Sequence, residues 1–522
     1  MTSDGRPNLE LTVNGEPITV VDDASSLLDV LRGECGLTSV KDGCSPQGQC
    51  GCCTVLVDGQ PRVSCVTPVR RVRGRAITTV EGLDDRVRDQ WGAAFAATGG
   101  SQCGFCTPGI ICRFEGLRAK GAAHHDRDAS ADALLAHLCR CTGWQPVIDA
   151  WVAFPAASPV DASANASTRA AIEGGAPQVV GSHVALGEGG FADDTAPVDA
   201  LVAVPDPARE GEWVVAESRA AALRAAGKVQ GRRTTADFDP PIGVPDGEWE
   251  LTLRTSWTEP AYLETDASWC EPGGEPVSPL ANGGAFGGKA DSEVGEAARR
   301  LADEHGRPVR VLYAREDAVR RGPKRPPLAA GLRADGTGLV RVARTPGIVE
   351  EIRRFLPEVE IEEVDVPGPS TSTAIRGAGW AEAAVLAAGL GGDVGWIAAP
   401  SGGAATARIA DDGSVDVTVR AGSVADDAEA TVLRSYCTGA AHMALGLVRS
   451  EKLGVDPSDG TVHDLTIRSF GVLRAVDTPP IRVTIEPGDG PPVNGSDAVF
   501  AAVAAAAWLH ADTPSSWPTG VP

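Results

Sequence analysis

The stretch GCSPQGQCGCCTVLVDGQPRVSC, residues 43–65, decides how this chain is read. Cys44, Cys50 and Cys53 lie in a loop of small residues, and Cys65 follows at the far end of an apolar run. Asp58-Gly59 interrupts that run, which predicts a β-hairpin over 53–65. Four thiolates converging from a loop and a strand suit an iron–sulfur cluster. Small residues let backbone N–H groups approach the sulfides and stabilise the charge added on reduction. Zinc is the competing reading. Zinc sites built from four cysteines usually combine two Cys-x-x-Cys pairs, whereas this run has one such pair and two isolated cysteines. Cys52, between two candidate ligands, is expected to point elsewhere as a small buried filler.

N-terminal to this loop, LELTVNGEPITVV (9–21) alternates around Asn14-Gly15 and predicts a second hairpin. SSLLDVLRG (25–33) predicts a short amphipathic helix, capped by Ser25 or Ser26 and ended by Gly33. Residues 1–80 therefore form a small α+β domain. C-terminal to it, strand alternation gives way to helical patterns over 81–155. That segment carries a second thiol group: Cys103 and Cys106 in QCGFC, Cys139 and Cys141 in LCRC. The pair Thr107-Pro108, and Thr142 ahead of Trp144, mark helix starts. Helix N-termini aim positive dipole ends at an anionic centre. Cys112 falls inside the first of these helices and is expected to pack rather than ligate.

Residues 156–177, rich in Ala, Ser and Pro, predict a linker. Residues 178–522 predict a mixed α/β region. Its strands include VDVTVRAG and IRVTIEP, its helices SEVGEAARRLADEHG and AVFAAVAAAAWLH. The 522-residue length implies several domains. The formal charge of −23 argues against nucleic acid as a partner. No apolar run is long enough for a membrane span, and MTSDGRPNLE lacks the apolar core of a secretory signal, so a cytoplasmic location is expected. Of 13 cysteines, 11 lie between Cys35 and Cys141, a clustering that favours metal over disulfides.

Together, GCSPQGQCGCCTVLVDG…SC and QCGFCTPGI…LCRCTGWQPVIDAW resemble the two-cluster module of the molybdenum hydroxylases, a family that includes xanthine dehydrogenase, aldehyde oxidoreductase and aerobic carbon monoxide dehydrogenase. The resemblance covers about residues 8–155. It implies a β-grasp, ferredoxin-like domain and a four-helix bundle, each with one [2Fe–2S] cluster. The ligands would be Cys44, Cys50, Cys53 and Cys65, then Cys103, Cys106, Cys139 and Cys141. Plant-type ferredoxins have four residues between their first two cysteines; here there are five. Gln102 and Cys139 match positions that touch the pterin in relatives.

Further on, GGAFGGK (283–289), REDAVRRGPKRP (315–326) and AIRGAGWAEA (374–383) occur in the order of the family's molybdopterin domain. The resemblance implies that Gly283, Gly284 and Gly287 line the cofactor, with Phe286 near the metal and Arg376 near the substrate. It implies hydroxylation of an aldehyde or N-heterocycle, with electrons leaving through the clusters. Three departures stand against a complete catalytic domain. The region is roughly half the usual family length. Asp426 and Asp427 occupy the place of a Gly-Gln-Gly that contacts the cofactor. Ser496 stands where the family has its catalytic glutamate, leaving Asp497 as a substitute base. No FAD domain separates the clusters from this region, so a flavin-binding subunit is an expected partner. The alternative is a non-catalytic electron-transfer subunit docked on a separate molybdopterin subunit.

Overall fold

The computed structural model describes residues 7–22, 25–154, 156–157, 163–228, 231–280 and 282–520. Both expected hairpins form. Strands β1 (Asn8–Val13) and β2 (Glu16–Val21) turn at Asn14-Gly15; β3 (Thr54–Val57) and β4 (Gln60–Val63) turn at Asp58-Gly59. Asn14 and Asp58 both adopt positive φ, as such two-residue turns require. A fifth strand, β5 (Ala76–Thr78), lies between the hairpins, giving the order β2-β1-β5-β3-β4 of a β-grasp sheet. The helix packed on it begins with a capping box at Ser26 over α1 (Leu27–Asp29). It does not stop at Gly33. It widens into a π-turn through Glu34, where the Cys35 N–H donates to the Val30 carbonyl at 3.1 Å.

The helical domain comprises α2 (Asp85–Thr98), α3 (Thr107–Arg118), α4 (Arg127–Ala133) and α5 (Gln145–Ala153). Trp91, Phe95, Phe114, Trp151 and Phe154 form its aromatic core, with Trp91 and Phe154 ring centroids 3.9 Å apart. Such stacked pairs add to the area they bury.

The expected linker needs correcting where it is described. Residues 164–174 form a helix, α6 (Ala164–Gly174), started by Ser163, whose hydroxyl accepts the Ala166 N–H. Arg169 anchors it. This fully buried guanidinium pairs with Glu173 and Glu429 and donates to the carbonyls of Ala421, Ser423 and Val493. Residues 158–162 of the linker, and the polar residues 1–6, lie outside the described residues.

The remaining chain builds three mixed sheets. One orders strands 213–216, 201–205, 309–312 and 267–270; a second orders 359–364, 338–343, 328–332, 251–255 and 516–517; the third orders 397–398, 404–409, 415–420 and 481–486. The helices Asp427–Arg449 and Ser496–His510, almost wholly buried, pack against each other. The two halves of the chain are not independent. The core of the cysteine-bearing domains runs on into Trp257, Val319, Leu453, Ile467 and Phe470. Among the described residues no helix is long and apolar enough to cross a membrane.

Candidate functional site

The first thiol group converges as its spacing predicts. Cys44, Cys50, Cys53 and Cys65 are all buried, brought together by the 43–53 loop and the end of the β3–β4 hairpin. Hydrogen bonds from the Cys50 and Cys65 thiols hold Cys44 well below the ordinary thiol range. The Gln47 and Gln49 N–H groups donate to Cys44 Sγ at 3.2 and 3.4 Å, and the Cys65 N–H donates to Cys53 Sγ at 3.5 Å. Backbone donors aimed at sulfur stabilise a cluster's negative charge. Cys52 is buried beside the group, its Sγ 3.9 Å from the Cys50 carbonyl oxygen.

In the second group Cys103 Sγ lies 3.6 Å from Cys141 Sγ, and Cys106 bonds to Cys139. The Cys106 thiol and the Thr142 hydroxyl hold Cys139 down at about 6. The two groups share a wall. A Cβ on Gly109 of α3 would lie 2.7 Å from the Cys52 carbonyl oxygen, so only glycine lets α3 approach the first loop. Cys112 is fully buried on the same helix, as packing requires. His137 packs over Gly51, and burial pushes its imidazole down to about 3, leaving it neutral.

The glycine loop lies against the second thiol group. A Cβ on Gly284 would sit 3.4 Å from Cys103 Sγ and 3.6 Å from Cys141 Sγ. Gly283, Gly284, Phe286 and Gly287 all have positive φ. For Phe286 this is a strained conformation costing on the order of 1–3 kcal/mol. It is held by the Arg376 N–H, which donates to the Phe286 carbonyl, while the Arg376 guanidinium lies 5.3 Å from the Phe286 ring centre. Arg376 also bonds to Asp497 Oδ1 at 3.0 Å and Ser496 Oγ at 2.7 Å. The structure thus brings Phe286, Arg376 and Asp497 together. They border a cleft of about 300 Å³ that also touches Gly283, Gly284 and Gly287.

The positions matched to pterin contacts have partners within the chain. Gln102 Nε2 donates to the Cys141 carbonyl at 2.9 Å and to Ser435 Oγ at 3.0 Å. Gln178, bonded to the Tyr436 hydroxyl, lies directly over Gly283. The Gly495 and Ser496 N–H groups, which open the helix Ser496–His510, donate to the Glu173 carboxylate at 2.9–3.1 Å. Asp426 is no contact for an anion. It caps the helix Asp427–Arg449 by accepting the Glu429 N–H at 2.8 Å.

The sequence reading missed what REDAVRR does. Its helix, Arg315–Arg321, reaches the first thiol loop: Arg315 Nη2 donates to the Gly43 carbonyl at 2.6 Å, and Glu316 accepts from Gln47 Nε2 at 2.8 Å. It also missed Arg140, between Cys139 and Cys141, whose guanidinium makes a bidentate pair with Glu451 at 2.5 and 2.8 Å. No local signal links residues so distant in sequence.

Comparison with known proteins agrees with this geometry. Residues 11–75 match the 2Fe-2S iron-sulfur cluster binding domain and residues 79–152 the [2Fe-2S] binding domain. The chain is 38 % identical over 138 residues to the nicotinate dehydrogenase small FeS subunit of Eubacterium barkeri, covering 26 % of this chain and 87 % of that one. It is 38 % identical over 146 residues to the nicotine 6-hydroxylase small subunit of Paenarthrobacter nicotinovorans, covering 28 % of this chain and 87 % of the relative. It is 44 % identical over 145 residues to the aldehyde oxidoreductase of Megalodesulfovibrio gigas, covering 27 % of this chain and 16 % of that protein's length. The solved aldehyde oxidoreductase from Desulfovibrio gigas superposes with a TM-score of 0.67 at 16 % identity, over 96 % of this chain and 97 % of that one, a likeness of fold. The chain belongs to the molybdenum hydroxylase family and carries two [2Fe–2S]-binding domains of an electron-transferring oxidoreductase.

Proposed function

We propose that this chain is the iron–sulfur electron-transfer component of a molybdenum hydroxylase, and that its C-terminal region seats the clusters against a separate molybdopterin subunit. Cys44, Cys50, Cys53 and Cys65 would hold one [2Fe–2S] cluster, and Cys103, Cys106, Cys139 and Cys141 the other. Burial, sulfur-directed N–H groups and mutual contact of the thiols fit that role. A bound cluster supplies one-electron transfer. The chain's own part is to exclude water, orient N–H groups toward sulfur and hold the two sites against one another at Gly109. Electrons would leave to a flavin-binding subunit in the cytoplasm.

The observation that carries this reading is the internal satisfaction of the pterin-contact positions. Gln102 is held by Cys141 and Ser435, and Gly283 is covered by Gln178; nearby, Glu173 takes the N–H groups of Gly495 and Ser496. An anionic cofactor entering the cleft would also meet the carboxylates of Glu173 and Asp497, which line it. The residues present do not fit that cofactor. Elemental analysis of the native protein tests this: the reading predicts four irons per chain, with molybdenum only in a co-purifying chain. One molybdenum on this chain alone refutes it.

The cleft at Arg376 favours a second reading, a compact hydroxylase acting on an aldehyde or N-heterocycle. There Arg376 would position the substrate and Asp497 would act as base. That reading requires Asp497→Asn to abolish turnover.

A further inference from the structure

Arg315 is fully buried, yet among the described residues its guanidinium forms no ion pair. Nη2 donates to the carbonyls of Gly43 and Leu263, each at 2.6 Å, while Nε and Nη1 are buried with no partner. The ring of Tyr262 lies 5.7 Å away. Surrounding carboxylates are engaged elsewhere. Glu316 holds Gln47 and the Gly231 N–H, Asp317 holds Lys228, and Asp266 holds Tyr262 and Ser292; Glu259 and Glu264 ion-pair with Lys324 and Lys289 at 3.0 and 2.6 Å, leaving Glu259 Oε1 and Oε2 and Glu264 Oε1 without a hydrogen bond among the described residues. Burying a guanidinium without counter-charge is strongly unfavourable, so a buried, hydrogen-bonded cation implies an anion in reach.

The first thiol loop is adjacent. Arg315 holds the carbonyl of Gly43, the residue before Cys44. A Cβ on Gly43 would sit 3.1 Å from Cys50 Sγ, so this peptide lies on the sulfurs. Four thiolates around a [2Fe–2S] core carry net negative charge, and reduction adds one more.

We propose that Arg315 is the counter-charge of the cluster held by the Cys44 group, a positioning residue supplied from the C-terminal half that eases that cluster's reduction. The proposal rests on the reading that this group holds a cluster. Iron content of the wild-type full chain checks that reading separately: iron-free wild-type protein defeats the reading, while iron-loaded protein leaves Arg315 to be tested on its own.

The test is a redox titration of the iron-loaded full chain, followed by electron paramagnetic resonance, for wild type, Arg315→Gln and Arg315→Lys. Arg315→Gln is expected to lower the reduction equilibrium constant of the Cys44-group cluster at least tenfold, about 59 mV for one electron. The other cluster should shift less, and Arg315→Lys should retain most of the wild-type value. An unchanged potential with full iron content overturns the proposal. If Arg315→Gln takes up no iron, the iron-free chains decide. A counter-charge role predicts that Arg315→Gln is at least as stable as wild type without iron, because an uncompensated cation has been removed. Lower stability of the iron-free variant would make Arg315 a purely structural clamp and overturn the proposal.

Discussion

Glu451→Gln isolates the contact that ties the second cysteine loop to the C-terminal half. Glu451 lies just beyond the helix Asp427–Arg449, and its carboxylate takes both Nη groups of Arg140, while Arg140 Nε donates to the Pro260 carbonyl at 3.0 Å. The side chains are only 6 % and 1 % exposed, so solvent screening contributes little. Removing one charge of such a pair leaves the other buried and uncompensated, at a cost of about 3–5 kcal/mol. An exposed pair would be worth at most about 1 kcal/mol. The variant should therefore open the 138–143 loop on the order of a hundredfold to a few thousandfold more often, read as lost amide protection in hydrogen exchange and faster iron loss to a chelator. Arg140→Met combined with Glu451→Met should recover most of the loss, because apolar replacement of both partners is often neutral. A single-variant cost below about 1 kcal/mol, or a double variant worse than either single one, would refute the reasoning.

Other predictions follow from the same packing. Burial pushes His442 from 6.5 down to about 3, with the Leu473 carbonyl at 3.1 Å from Nε2. The folded state thus binds the proton less well than the unfolded chain. This contribution is fully present above pH 6.5 and is lost as pH falls toward 3, at about 1.4 kcal/mol per unit. His442→Asn should flatten that part of the stability profile between pH 7 and 5 in denaturant titrations. Gly109→Ala would drive a methyl into the carbonyl oxygens of Gly51 and Cys52 and should cost about 1–3 kcal/mol, with iron lost from both sites in elemental analysis. Glu173→Gln keeps a carbonyl for the N–H groups of Gly495 and Ser496 but removes a charge from buried Arg169, which retains Glu429. Its cost should stay within about 1–3 kcal/mol in thermal unfolding.

Local chemistry was legible wherever it is written in neighbouring residues. Asn14-Gly15 and Asp58-Gly59 give turns because both need positive φ, and the cysteine spacings give two thiol groups because the members of each lie within a few dozen residues. The misreadings have non-local causes. Helix α6 looked like a linker because its anchor is Arg169, whose partners Glu429 and Val493 lie some 260 and 324 residues on. Asp426 looked like a clash with an anion but is a helix cap that also accepts from Asn165. By its order REDAVRR reads as part of the C-terminal domain, whereas its first two residues also grip the loop carrying Cys44. Gly33 failed to end its helix because an N–H five residues on from Val30 reached back to close a wider turn.

The most direct test of the central claim is quantitative electron paramagnetic resonance of the fully reduced protein, alone and with Cys65→Ser or Cys141→Ser. Two cysteine groups acting as separate cluster sites predict two distinguishable signals, each integrating to one spin per chain. Each substitution should remove or alter one signal and leave the other. A single signal, or simultaneous loss of both in either variant with the fold intact, would contradict the account.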